Sequence, residues 1–303
     1  MLLFIKRNWL AVFAFISFSI LGISYYLFLS YTEKATVISE IKNYDAVSIG
    51  VVVSAAKPAE YYRPLIDYLN AYSKVKWTLD PMRDYGTLVD EFYQDHLQAV
   101  IAGSGPGYRL ITYANSVPVA RMEKNGLSTY KGYIIVKKDS GISQFSELKG
   151  KKFVYGDMIS TSAYAFPKWL LANQGCVDDE YFAFSAYTND TGAALDLVLS
   201  GGYDAAAVKD TNLNKLLAEN LRFKDVFAVI DEAGDFPDNV FMMSSNLTES
   251  LQLDVRSLLL DMDKSVQGEG YLKELNIDRF IETSVADYDA AAKIIDGAQV
   301  CFL

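Results

Sequence analysis

The sequence predicts an α/β fold of two lobes, in which helices cover parallel sheets, preceded by one membrane-spanning helix. From residue 46 onward, short apolar runs rich in β-branched residues alternate with segments of helical periodicity. Strands separated by helices are typical of parallel sheets. No Pro-rich or Ser-rich linker separates two independent domains. Two lobes joined by crossing strands therefore fit the pattern better than two successive domains.

The N-terminal segment predicts a membrane anchor. Residues 9–31 form an uncharged apolar run of 23 residues, which as a helix would span ~34 Å and cross a ~30 Å hydrocarbon core. Lys6 and Arg7 precede the run, which by the positive-inside rule keeps the N-terminus in the cytoplasm. A cleavable signal peptide is the alternative, but its apolar region is normally ~7–15 residues long and ends in small residues. We expect residues 1–32 to be an uncleaved anchor, with the rest of the chain outside.

The strand and helix predictions follow in order along the remaining chain. An apolar run at 46–53 predicts the first strand, and the helical spacing of Leu65, Tyr68, Leu69 and Tyr72 predicts a helix at 59–72. The region from Thr248 onward is mostly helical by pattern. The other strands are predicted at 97–102, 133–137, 152–155 and 205–208, and the other helices at 87–96, 108–114, 168–173 and 193–199.

Composition excludes several classes of protein. Hydrophobic residues make up 51% of the 303 residues and charged residues 22%, which is typical of a globular chain. The net charge of −10 disfavours nucleic acid as a partner. Cys176 and Cys301 fit neither a metal-binding spacing nor a disulfide framework. Since His96 is the only histidine and no nucleophile–base pair is visible, an enzyme is disfavoured. We expect no metal and no cofactor.

The strongest candidate site is the segment 156–166 (GDMISTSAYAF). Ser160, Thr161 and Ser162 follow a predicted strand and precede a helical stretch. Hydroxyl groups together with the backbone N–H groups of a helix start form a compact anion site without any Lys or Arg. The alternative is a simple N-cap, for which Ser and Thr are common. Pro167 leaves open whether the helix begins before or after the hydroxyl groups.

A second candidate is the segment 103–108 (GSGPGY), which also follows a predicted strand and contains Ser104. Its glycines would let a ligand approach backbone N–H groups. It is only superficially similar to a dinucleotide-binding fingerprint, because Tyr108 occupies the last glycine position. A tight strand-to-helix turn is the alternative. Both loops would lie at the carboxyl ends of parallel strands, where open α/β sheets bind ligands.

Further candidates are tyrosines that flank these loops and polar residues of the second lobe. Tyr61, Tyr62 and Tyr108 could form walls of a cleft, although tyrosines are also common packing residues. Thr191 and Asp210 could face the cleft, or could be solvated loop residues or caps.

Several motifs in order resemble one family. The stretch 133–175 contains a strand, D-S-G-I at 139–142, L-K-G-K at 148–151, and S-T-S before a proline-containing helix. Residues 201–205 (GGYDA) and the segment 269–280 with Tyr288 continue the series. This series, over roughly residues 48–289, resembles the substrate-binding proteins of phosphate, phosphite and phosphonate ABC importers. The resemblance implies a type II periplasmic-binding fold, with lobe 1 at 45–131 plus 238–303, lobe 2 at 132–237, and the ligand between them.

The resemblance also implies roles for individual residues. Ser160, Thr161 and Ser162 match the positions that hold the phosphoryl oxygens, and Tyr62 or Tyr61, with Tyr108, match tyrosines that close on the ligand. The chain departs from the family pattern at Ala163, Thr191 and Gln98, where glycine, histidine and aspartate are usual.

The function implied is that of a periplasmic binding protein, held at the bacterial inner membrane by its own helix. It would bind a phosphate-like oxyanion and deliver it to an ABC permease. The alternative is a sensor, in which the same domain reports its ligand to a membrane signalling partner such as a kinase or cyclase.

Overall fold

The computed structural model describes residues 44, 46–53, 57–175, 181–188 and 190–299. The predicted membrane anchor at 1–32 and both cysteines lie outside these residues. Within the described part, no helix combines the length and the apolar character needed to cross a membrane.

The described strands and helices alternate along most of the chain, as the sequence predicts. The strands are β1 (Ala46–Val52), β2 (Lys76–Met82), β3 (Ala99–Ala102), β4 (Ser116–Glu123), β5 (Thr129–Lys137), β6 (Lys152–Tyr155), β7 (Phe184–Tyr187), β8 (Ala205–Lys209), β9 (Phe227–Pro237), β10 (Val240–Ser244) and β11 (Arg279–Ile281). The α-helices are α1 (Arg63–Tyr72), α2 (Tyr85–Tyr93), α3 (Ser104–Ala114), α4 (Phe166–Asn173), α5 (Thr191–Leu199), α6 (Asp210–Glu219), α7 (Glu249–Leu260), α8 (Val266–Leu275) and α9 (Asp289–Gln299).

Two sheets define the two lobes. The sheet of lobe 1 has the strand order β11-β4-β10-β3-β1-β2, and that of lobe 2 has the order β7-β6-β8-β5-β9. Helices cover both faces of each sheet, so the central strands are nearly continuous apolar runs, and all five residues of β10 are buried. Trp77 and Phe241 are among the large buried side chains of lobe 1, and Phe153 and Phe166 among those of lobe 2.

The sheets are mixed, whereas the sequence pattern predicts parallel ones. The β1, β2 and β3 strands pair in parallel, as do β6, β7 and β8. The exceptions include β5 and β10, which run antiparallel to their neighbours. Each of these two strands receives the chain as it crosses from the other lobe, so it enters its sheet at the cleft side and runs away from the cleft. The direction of these strands thus depends on where the chain crosses between the lobes. The hydrophobic periodicity of the sequence does not show these crossings.

The C-terminal helix packs in a different lobe from the predicted one. The predicted division assigns residues 238–303, which include this helix, to lobe 1. After Tyr288, which is buried in lobe 1, the chain crosses once more. Helix α9 then buries Ala291, Ile294 and Ile295 in the core of lobe 2. The apolar stripe of α9 predicts that one face is covered, but it does not specify which lobe covers it.

Candidate functional site

A cavity of about 390 Å³ lies between the two lobes. Its lining includes the loops that follow strands β3, β6, β7 and β8. Each of these loops leads into the start of a helix. Helix starts present backbone N–H groups that have no partner within the helix, and the helix dipole adds partial positive charge there. The chain therefore directs several donor-rich helix ends into one space.

The loop of lobe 2 contributes three hydroxyl groups. Ser160 caps the helix, because its Oγ accepts a hydrogen bond from the Ala163 backbone N–H at 3.0 Å. Thr161 and Ser162 begin the helix and are buried. A hydroxyl group that accepts a capping bond still has a proton to donate. The N-cap and the anion-binding interpretations are therefore compatible at Ser160.

The position of Pro167 follows from the shape of this helix start. The first turn, Thr161–Ala165, is a wide π-turn, in which the Ala165 N–H donates to the Ser160 carbonyl oxygen at 3.0 Å. The regular α-helix begins only at Phe166, so Pro167 lies in the first turn of α4, where its missing donor costs little. The hydroxyl groups thus precede the regular helix and lie on the cavity wall.

The departure at Ala163 fits the same local packing. A Cβ atom added at Gly156 would meet the Ala163 Cβ at 2.4 Å, and the Gly156 N–H donates to the Ala163 carbonyl oxygen at 2.8 Å. The methyl group of Ala163 therefore fills the space that Gly156 leaves open.

The loop of lobe 1 reaches across the cleft to these hydroxyl groups. Ser104, at the start of α3, is fully buried and donates from its Oγ to the Thr161 Oγ1 at 2.9 Å. Its Oγ also contacts the Tyr130 hydroxyl group. A Cβ atom added at the neighbouring Gly105 would lie 2.1 Å from the Ile159 carbonyl oxygen. Gly105 therefore lies close against the backbone of lobe 2, and a side chain there would push the two lobes apart.

Charged side chains of both signs line the cavity. Lys209 forms an ion pair with Asp238, with 2.6 Å between Nζ and Oδ2, and lies 4.1 Å from the centre of the Tyr130 ring. Asp157 and Asp190 also line the cavity, and one oxygen of each accepts a local backbone hydrogen bond, from Ile159 and Ala193 respectively. Because two lysines and three aspartates share the lining, the placement of individual donors decides which ligand binds, rather than a strong net charge.

Burial changes the protonation equilibria of several lining groups. It lowers the pKa of Lys57, an effect that the nearby Asp238 carboxylate opposes. Burial raises the pKa of the Tyr85 and Tyr130 phenols well above the ordinary range, and the Asp238 charge adds to the rise. An ordinary phenol is already neutral at pH 7, and the raised pKa ensures that neither ring adds a negative charge to the cavity.

The cavity brings together five of the nine candidate residues. Its lining includes Ser104, Ser160, Thr161, Ser162 and Thr191. The Thr191 hydroxyl group also accepts a 3.4 Å hydrogen bond from the Asn212 side chain.

The other four candidates lie outside this lining. Tyr62 is buried in the core of lobe 1, and Tyr61 packs edge-on against it. The Asp210 carboxylate accepts hydrogen bonds from the backbone N–H groups of Lys131 and Thr211. Tyr108 donates from its hydroxyl group to Asp296 at 2.7 Å. A direct contact between these side chains and a ligand remains a prediction.

Sequence reasoning missed several polar lining residues, among them Lys57, Tyr130, Lys209 and Asp238. Lys209 could have been found, because it directly follows the strand predicted at 205–208 and so lies at a carboxyl end. No comparable signal marks Asp238, which lies in the crossing between β9 and β10.

Comparisons with known proteins point to one family. A family model described as the periplasmic substrate-binding protein of phosphonate ABC transporters matches residues 51–288. A curated protein of Prochlorococcus marinus, named a probable ABC transporter phosphite binding protein, is 25% identical over 223 residues, which cover 69% of this chain and 74% of that protein.

Solved structures share the fold. A Xanthomonas citri protein bound to ATP has a TM-score of 0.73 at 18% identity, over 86% of this chain and 98% of that one. A Prochlorococcus marinus protein in complex with methylphosphonate has a TM-score of 0.67 at 19% identity, over 83% and 97% of the two chains. At such identities the likeness shows the two-lobed fold alone.

Proposed function

The chain belongs to the family of periplasmic substrate-binding proteins of phosphonate ABC transporters, and on that premise we propose that its cleft binds a phosphorus oxyanion through Ser104, Ser160, Thr161 and Ser162. It is a binding protein rather than an enzyme. The protein would hold the oxyanion between its lobes and deliver it to the permease of the importer.

One observation carries the proposal. Two helix starts, one from each lobe, converge on the same cavity, and their hydroxyl groups are within hydrogen-bond distance of each other through Ser104 and Thr161. A tetrahedral oxyanion offers several acceptor oxygens to donors that arrive from different directions. Helix N-termini bind such anions through backbone N–H groups and the dipole. Since the donors come from both lobes, the anion would stabilise the closed arrangement.

The size of the cavity supports a ligand that has an organic substituent. Its volume of about 390 Å³ falls within the ~300–1,000 Å³ typical of small-molecule sites. The hydroxyl groups would take the oxyanion, and the remaining space, with Thr191 and Asp190 on its wall, would take the substituent. The relative named for phosphite supports a phosphorus oxyanion in general, and the fold relative bound to methylphosphonate supports one that has an organic substituent.

The N-terminal run at residues 9–31 supports attachment to the membrane. We propose that it holds the protein beside its permease and so raises the effective concentration of the loaded protein there. Intact-mass analysis of protein extracted from membranes tests this proposal. A chain that begins after about residue 30 would contradict it.

Calorimetric titration of the full chain with phosphate, phosphite, methylphosphonate and sulfate tests the binding proposal. We expect at least one phosphorus oxyanion to bind and to raise the melting temperature, since a ligand of the folded state stabilises it. Binding of none of the three phosphorus compounds would contradict it.

Radiolabelled uptake in a deletion strain tests delivery. We expect loss of uptake of the oxyanion that binds, and only partial recovery from a version without the N-terminal helix. Unchanged uptake, together with an altered second-messenger response to the same ligand, would favour the sensor.

A further inference from the structure

Tyr108 connects the two lobes at a place outside the cavity lining. Its ring packs against the apolar cluster of Leu110 and Tyr288 in lobe 1 and also against the core of lobe 2. Its hydroxyl group donates to the Asp296 carboxylate at 2.7 Å. The side chain therefore contacts both lobes, although its own helix, α3, belongs to lobe 1.

Asp296 belongs to lobe 2 by the packing of its helix. On the same helix, Ile294, Ile295 and Ala298 are buried in the lobe 2 core. A Cβ atom added at Gly297, on α9, would lie only 2.5 Å from the indole of Trp169, on α4. The two helices are therefore in close contact. When the lobes separate, α9 therefore stays with lobe 2 and α3 stays with lobe 1.

We propose that the hydrogen bond between Tyr108 and Asp296 is a latch that favours the closed arrangement of the lobes without contacting the ligand. The bond joins the second turn of α3, whose first turn lines the cavity, to α9 of the opposite lobe. Tyr108 and Asp296 are then positioning residues, and their effect on affinity is indirect.

The physical basis is a population effect. If only the closed arrangement binds tightly, the apparent affinity is the intrinsic affinity multiplied by the closed fraction. An interaction present only in the closed arrangement raises that fraction for every ligand alike. A residue that contacts the substituent would instead affect the two ligands differently, and one that contacts the shared phosphoryl oxygens would leave the ligand-free chain unchanged.

The test uses Tyr108→Phe, Asp296→Ala, which removes the acceptor, and the double variant of the full chain. Tyr113→Phe is the matched control, because Tyr113 lies on the same helix and is exposed. Methylphosphonate and phosphite are the titrated ligands. Because the bond is partly solvated, we expect each single change to lower affinity about three- to tenfold, equally for both ligands, and the double variant to lose no more than the larger single loss.

Hydrogen exchange of the ligand-free chain gives a second readout. Segments 103–107 and 157–162 face each other across the cleft, so a shift toward open lobes speeds their exchange. We expect faster exchange there in Tyr108→Phe and in Asp296→Ala, and no change in Tyr113→Phe. A merely structural weakening would instead speed exchange throughout both lobes.

The outcomes separate this inference, which rests on the proposed function, from that function itself. If neither ligand binds the unmodified chain, the binding proposal fails for these two ligands, while the exchange data still decide on the latch. Exchange that is unchanged in Asp296→Ala would overturn the latch. So would a loss in Tyr108→Phe that is confined to one ligand, which would make Tyr108 a ligand contact.

Discussion

The two loops that face each other across the cleft have different designs. The lobe 2 loop carries its chemistry in side chains, with hydroxyl groups at Ser160, Thr161 and Ser162. The lobe 1 loop places one hydroxyl group in the cavity lining, that of Ser104, beside a glycine that has no room for a side chain. The lobe 2 loop thus supplies most of the hydrogen-bond donors, whereas the lobe 1 loop allows the two lobes to come close together. Substitutions in the two loops should therefore weaken ligand binding for different reasons.

The largest effect is expected from removing the donors. Replacing Ser160, Thr161 and Ser162 together by alanine should weaken oxyanion binding by more than ~1,000-fold, because each hydrogen bond to a charged group contributes about 1.5–3 kcal/mol. Calorimetric titration measures the loss, and a melting curve of the variant establishes that it folds. Retained affinity in a folded variant would contradict the role given to the lobe 2 loop.

A smaller loss of affinity is expected from a side chain that keeps the two lobes apart at Gly105. In Gly105→Ala, the new methyl group would meet the Ile159 carbonyl oxygen, which is backbone and cannot rotate away. Overpacking of this kind costs about 1–3 kcal/mol, so affinity should fall about five- to 150-fold. The melting temperature without ligand should change little, because lobes that separate avoid the contact. Titration of both this variant and the control below measures the difference.

The control for that variant lies two residues earlier. A Cβ atom added at Gly103 would meet the Asp238 Oδ1 at 3.8 Å, which is an ordinary contact. Gly103→Ala should therefore bind nearly as tightly as the unmodified chain. Equal losses in the two variants would show that the loop tolerates no side chain anywhere, and would remove the special role of Gly105.

The smallest effect separates capping from binding at Ser160. Ser160→Ala should lower the free energy of unfolding by about 1 kcal/mol, because the N-cap is lost. Ser160→Asp should retain the cap and most of the stability, yet bind the oxyanion more weakly than Ser160→Ala, since its carboxylate repels an anion. Chemical denaturation and titration of both variants test this. Tighter binding by the aspartate variant would exclude Ser160 from the anion site.

Much of the lobe 2 loop could be predicted from the sequence. The S-T-S hydroxyl groups stand between an apolar run and a helical pattern, and a side chain that carries chemistry is visible in a sequence. The role of Gly105 could not be predicted in this way, because its meaning depends on the Ile159 carbonyl group of the other lobe, 54 positions along the chain. Propensity describes neighbours in sequence, whereas this constraint arises only after the lobes meet.

The sequence also does not show which tyrosines line the cleft. Their number favours a cleft with aromatic walls, yet the lining contains Tyr85 and Tyr130, whereas Tyr62 is buried in a core. A phenol suits both places, so residue type does not decide between them. The direction of strand β5 is similarly ambiguous in the sequence, because an apolar run looks the same in either orientation.

Helix α9 has a consequence for the order in which the chain folds. Lobe 2 begins with β5 at Thr129, but its apolar core includes Ile294 and Ile295, which are synthesised 165 or more residues after Thr129. Contacts between residues so far apart in sequence form slowly, because a long loop must close first. Synthesis runs from the N-terminus, and domains generally fold as units. The second lobe therefore cannot finish folding as an independent unit when its own strands emerge, and a fragment that ends after β10 would leave its apolar core partly uncovered.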